Sequence, residues 1–165
     1  MSRAFVKEGS GELEPLPDLP VSPHPNYVTP RGLSALKQRL ADTQAELSRL
    51  RARSERLDKL PEAAAERDIR YLEARLRSAI VIDPAAQDLR AVAFGLRVTI
   101  ADEEGRVAVY EITGEDEADA ALGRIAPQSP LARALIGAEV GDEVIWRRPA
   151  GSVVLEVTGI DRAED

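Results

Sequence analysis

Between residues 29 and 79 the chain carries two apolar seams separated by a proline-marked break, and few folds accommodate that pattern. Leu33, Leu36, Leu40, Leu47, Leu50 and Leu57 follow alternating steps of three and four residues, with Thr43 and Ser54 in the slots between them. A period of 3.5 is a heptad seam, the mark of a helix packed along one stripe. Thr29-Pro30 opens it: Thr is a good N-cap, and Pro at the first helical position loses no hydrogen bond. After a break at residues 58–60, Pro61 opens a second seam, in which Ala65, Ile69, Leu72, Leu76 and Ala79 repeat the same spacing. Two such seams across a short break predict an antiparallel helical hairpin over residues 29–83. The first helix is expected to reach Asp58, about 28 residues or roughly 42 Å at 1.5 Å per residue. Folding about the break then sets Leu50 near Ile69 and Leu47 near Leu72.

The flanks read differently. Residues 1–28 contain five prolines, at 15, 17, 20, 23 and 25. Pro lacks an N–H and restricts its predecessor, so this leader is expected to be extended or disordered and to bury little. From residue 84 to 165 the period changes to two. Val92, Phe94, Leu96, Val98 and Ile100 share one face of a strand. Asp102-Glu103-Glu104-Gly105 is a turn, and Arg106–Thr113 is the return strand. Gly114–Gly123 is a loop crowded with acids. Ser129-Pro130 caps a short helix ending at Ile136, before Gly137. Strands over 143–147 and 153–160 complete a sheet of four or five strands. The fold class is α+β: a helical hairpin followed by a small β-rich domain with one short helix.

Composition removes several chemistries. There is no cysteine, so disulfides, thiolate metal sites and cysteine nucleophiles are excluded. The only histidine, His24, lies between two leader prolines, a poor position for a general base. No phosphate-cradling glycine loop is present. No stretch approaches the ~20 apolar residues of a membrane span, and residues 1–7 lack the apolar run of a signal peptide, so no membrane partner and a cytoplasmic location are expected. Residues 29–83 carry 12 basic and 9 acidic side chains, whereas residues 84–165 carry 8 basic and 16 acidic. An acidic C-terminal half is a poor partner for free duplex nucleic acid.

Two clusters remain as candidate sites. Asp116-Glu117-Ala118-Asp119 spells a helicase tetrapeptide, but without a phosphate loop it reads as a solvated acidic loop, with weak support for a hard cation. The hairpin tip carries Arg49, Arg51, Arg53, Arg56 and Lys59 beside Glu55, Asp58 and Glu62. Asp58 and Glu62 are the tip carboxylates to consider for a metal held inside a partner's site; the opposing reading pairs them with the neighbouring arginines.

A resemblance decides between these. Phe94–Ile100, Tyr110–Asp119, Ser129–Gly137 and Val140–Val144, with Pro149-Ala150-Gly151 and Val153–Val157, closely resemble the C-terminal domain of the bacterial GreA/GreB transcription elongation factors, and Tyr27–Leu33 resembles the family's opening. The resemblance implies a coiled coil projecting from an FKBP-like domain. That domain docks on RNA polymerase at the rim of the secondary channel, and the coiled coil enters the channel. By the same resemblance, Ser129, Pro130, Leu131, Ala132 and Arg133 bind polymerase, and the protein acts on the polymerase rather than as a stand-alone enzyme. It implies no cofactor of the protein's own beyond Mg at the polymerase active centre, and only indirect contact with nascent RNA. The family's acidic tip helps the polymerase cleave backtracked RNA. Residues 56–68 lack that tip signature and the hairpin is shorter than usual, so a regulator that occupies the channel without stimulating cleavage is the alternative. Prolyl isomerase activity, suggested by fold analogy alone, would need an aromatic pocket built from Phe94, Tyr110 and Trp146.

Overall fold

The computed structural model describes residues 14–55 and 57–163, and the fold is α+β. From residue 14 the leader runs without helix to β1 (Tyr27–Val28), and it does bond to the rest of the chain, through Leu16 and Asp18 to Arg70 and through Asn26 to Arg75. Next come α1 (Pro30–Arg51) and α2 (Leu60–Ser78), which pack against each other as a hairpin. The N-cap of α1 is Thr29, whose Oγ1 accepts from Gly32 N at 2.9 Å. Strand β2 (Ile80–Val81) leaves the hairpin parallel to β1, in the register Tyr27 to Ile80 and Val28 to Val81. Both ends of the hairpin are therefore stitched together at its base, a pairing that the two-residue strands left invisible in the sequence.

Helix α1 is shorter than its seam predicts. It ends at Arg51, not near Asp58, and spans about 33 Å at 1.5 Å per residue. Residues 52–55 and 57–59 belong to the tip loop. The cause lies in α2: with Leu60 and Pro61 opening the second helix, a first helix running to Asp58 would leave no chain for the reversal. Leu57 then has no opposing arm to pack on, and it is 95% exposed. Arg53 closes the end of α1 by donating to the carbonyls of Leu50 and Asp58, each at 3.1 Å.

The early stop also shifts the hairpin register. Leu72, 1% exposed, packs in a cluster with Leu36 and Val28, flanked by Leu33, Leu40, Tyr71 and Leu76. It does not meet Leu47, which is buried closer to the tip and lies outside that cluster; Leu50 and Ile69 are only half-buried.

The C-terminal sheet comprises β3 (Leu96–Asp102), β4 (Val107–Ile112), β5 (Arg124–Ile125), β6 (Glu143–Trp146) and β7 (Val153–Arg162), in spatial order β5-β4-β3-β7-β6. Only the β4–β5 pair is parallel within it. The period-two face is buried as read: Leu96, Val98, Ile100, Ile112, Leu155, Val157 and Ile160 form the core together with Leu131 and Leu135 of α3 (Pro130–Leu135). Val92 and Phe94 are buried too, but the strand begins only at Leu96, because Gly95 adopts φ +84° and breaks the pleat before it. Among the described residues no helix is long and apolar enough to cross a membrane.

Candidate functional site

Three places concentrate chemistry. The first is α3. Ser129 is its N-cap: its Oγ accepts from Ala132 N at 3.3 Å and donates to the Ala126 carbonyl at 2.8 Å. A six-residue helix starting at Pro130 presents two faces. Leu131, Ala132 and Leu135 are buried in the core, while Pro130, Arg133 and Ile136 are exposed. Of the five residues assigned to polymerase binding, Leu131 and Ala132 are thus core residues, and the helix surface open to a partner is Pro130, Arg133 and the neighbouring Ile136.

Beside α3 lies an apolar groove of about 630 Å³, lined among others by Tyr110, Ile125, Pro130, Trp146 and Pro149. The Arg148 guanidinium stacks over the Trp146 ring at 5.1 Å, so the groove has a cationic lip. Two of the three aromatic residues considered for such a pocket are therefore present in it. Phe94 is not: its ring is tilted against that of Tyr27, 5.9 Å away.

The second place is the hairpin tip. Asp58 is exposed, and its Oδ1 accepts from Leu60 N at 2.9 Å, capping the start of α2. Glu62 is 5% exposed and faces Arg53 at 3.8 Å. Arg51 pairs across the hairpin with Glu66 at 2.9 Å, and Arg49 pairs with Glu46. Among the described residues, no three acidic or histidine side chains are gathered as metal ligands would be. The two tip carboxylates thus serve the tip's own structure: one caps a helix, and the other is buried against an arginine.

The third place corrects the reading of the acidic run as solvated. Glu115, Asp116 and Glu117 close on the base of the hairpin. Arg75, 1% exposed, donates from Nε to Asp116 at 2.6 Å, and from one terminal nitrogen to Asn26 at 2.7 Å and Glu115 at 3.3 Å. Tyr71 donates to the same Asp116. Arg31 bridges Glu117 and Glu111, and Thr29 donates to Glu117 at 2.7 Å. Burial works to lower the pKa of both arginines, but hydrogen bonds to these carboxylates outweigh it and hold both guanidinium groups above their usual value. Burial, then the hydrogen bond to Asp116 and that group's charge, pushes the Tyr71 phenol up to about 12. Neither Arg31 nor Arg75 stood out in the sequence, because an arginine beside a heptad seam is ordinarily a solvated one.

Residues 86–162 match the family described as "Transcription elongation factor, GreA/GreB, C-term". Transcription elongation factor GreB of Neisseria meningitidis serogroup B is 35% identical over 152 residues, covering 82% of this chain and 93% of that protein. Transcription elongation factor GreA of Alkalilimnicola ehrlichii is 44% identical over 94 residues, and this match spans 56% of the chain but only 60% of that relative's length. The GreA factor homolog 1 (Gfh1) structure of Thermus thermophilus aligns over 83% of this chain and 99% of that one, at 22% identity and a TM-score of 0.39.

Proposed function

Because the chain belongs to the GreA/GreB family of transcription elongation factors, we propose that it binds RNA polymerase through the exposed face of α3 and regulates elongation with its hairpin in the secondary channel. The observation that carries this reading is the apolar groove beside α3. Tyr110, Trp146 and Pro130 leave a concave apolar surface uncovered, and Arg147 and Arg148 stand at its edge. Aromatic and arginine side chains in a desolvating pocket are what dominate interface energetics. In a chain rich in carboxylates, cations at the lip favour a partner surface with an apolar anchor next to acidic side chains.

The tip favours occupancy of the channel over stimulation of transcript cleavage. Recruiting a metal needs carboxylate oxygens that are free to turn toward it. Asp58 is committed to the amide of Leu60, and Glu62 is buried beside Arg53. Turning them outward would take the acceptor away from the Leu60 amide and draw Glu62 out of the buried position in which it packs.

Docking is tested at residues whose replacement leaves the core intact. Leu131 is unsuitable, since an aspartate there would be buried among Leu135 and Ile112. Pro130→Asp with Arg133→Glu changes only exposed positions, and an acid in the first turn suits the helix dipole. Loss of about 2 kcal/mol at an interface anchor corresponds to roughly 30-fold weaker binding. Binding to the cognate polymerase is measured by titration, with circular dichroism as the folding control. Unchanged affinity in a folded double variant would remove α3 from the interface.

A further inference from the structure

The base of the hairpin is held more elaborately than a hinge requires. From one side comes the acidic loop, with Glu115, Asp116 and Glu117 on Arg75, Tyr71 and Arg31. From the other comes the leader. Asp18 pairs with Arg70 at 2.6 Å, and the Leu16 carbonyl accepts from the same guanidinium at 2.9 Å. Ser22 donates to Glu115 at 2.9 Å. Asn26 closes the set: its amide nitrogen donates to the Arg75 carbonyl at 2.8 Å and to Ser78 at 3.2 Å, while its oxygen accepts from the Arg75 guanidinium. Two glycines permit the approach. A Cβ on Gly114 would stand 2.5 Å from the Tyr27 carbonyl oxygen, and one on Gly32 would stand 2.6 Å from a Glu117 oxygen.

From this arrangement we infer that leader residues 16–26 and acidic loop residues 115–117 form a clasp that fixes the direction in which the hairpin projects from the sheet, with Asn26, Arg75 and Asp116 as its positioning residues. Arg75 is buried with every partner in place. Any swing of α2 away from the loop would strip a buried guanidinium of its counter-charges, which is strongly disfavoured. The joint therefore has one preferred setting rather than a range. The lever makes this matter: with an arm of about 33 Å, a swing of 10° carries the tip by about 6 Å. If the proposed docking is right, and the functional consequence rests on it, a polymerase that holds the sheet receives the tip along one line.

The chain has no cysteine, so two can be introduced cleanly. Nitroxides at Glu55→Cys on the tip and Glu103→Cys in the exposed β3–β4 turn report the distance between hairpin and sheet in the free, full-length protein. One narrow distance distribution is expected. Asp116→Asn, Asn26→Ala and, separately, removal of residues 1–24 are each expected to broaden it, with helical and sheet circular dichroism preserved. Asn26→Ala changes no charge and the truncation leaves Arg75 and Asp116 intact, so a folded variant is available even if Asp116→Asn is not tolerated. Distributions that stay narrow and unshifted in the folded variants would overturn the clasp. On polymerase, the variants are expected to keep the wild-type half-saturating concentration within about twofold while the maximal effect on elongation falls. A loss of affinity with an unchanged maximum would overturn the positioning role. A wild type that fails to bind polymerase would refute the docking proposal and leave the distance measurement standing.

Discussion

The hairpin register can be settled by stability measurements. The seam spacing places Leu72 against Leu47, whereas in the structure Leu72 packs with Leu36. These alternatives lie far apart: Leu36 and Leu47 are separated by about 16 Å along α1 at 1.5 Å per residue. Leu72 and Leu36 are 1% and 2% exposed, so truncating either to alanine deletes fully buried methyl groups. Each is expected to cost about 2–5 kcal/mol, with the spread set by how far the site collapses. The double variants carry the discrimination. Residues sharing a cavity couple by about 0.5–3 kcal/mol, whereas residues more than about 10 Å apart add within about 0.5 kcal/mol. Leu36→Ala with Leu72→Ala is therefore expected to be non-additive, because the second truncation enlarges a cavity already made. Leu47→Ala with Leu72→Ala is expected to be additive. Urea unfolding followed by helical circular dichroism supplies the four free energies of each cycle, provided the denaturant slope stays constant. Coupling between Leu47 and Leu72, with none between Leu36 and Leu72, would refute the packing described and restore the longer first helix.

Two further outcomes follow from the site. The Tyr71 phenol holds its proton up to about 12, above its ordinary value near 10, so the folded state binds that proton more tightly. Its contribution to stability is complete below pH ~10 and is lost as pH rises through ~12; alkaline unfolding is expected in that window, and Tyr71→Phe should flatten it, whereas an unaltered profile would show that the phenol is not what titrates. At the tip, wild-type protein is expected to produce no RNA shortening in stalled, backtracked complexes beyond that of the polymerase alone, and Asp58→Asn with Glu62→Gln should change nothing; strong shortening that the double variant loses would show that these acids do reach a metal.

Much of the architecture was legible because its signals are periodic. The change from a 3.5 to a 2.0 period separated hairpin from sheet, and Ser129-Pro130 and Thr29-Pro30 marked two helix starts by capping chemistry alone. The hairpin's reach was not legible, because a seam records which face is apolar and not whether an opposing arm exists: Leu57 keeps the spacing yet has nothing to meet. The proposed binding face of α3 was half legible. Sequence likeness drew Leu131 and Ala132 into the site together with Pro130 and Arg133, but only burial separates the residues that hold the helix in place from those a partner can touch.

The least legible feature was the use made of charge. Twelve basic side chains in residues 29–83 and sixteen acidic ones in residues 84–165 look like surfaces of opposite sign, each awaiting its own partner. In the structure part of that charge is turned inward. Arg31 and Arg75 from the hairpin meet Glu111, Glu115, Asp116 and Glu117 from the sheet, and Arg70 takes Asp18 from the leader. At the tip Arg51 pairs with Glu66 and Arg53 faces Glu62, and of these four only Glu62 is buried. Small exposed ion pairs contribute little, whereas the buried Arg75 is costly to unpair, so the electrostatic free energy of the molecule is concentrated at the joint. On the proposed reading, that division leaves recognition to the groove beside α3 and direction to the joint.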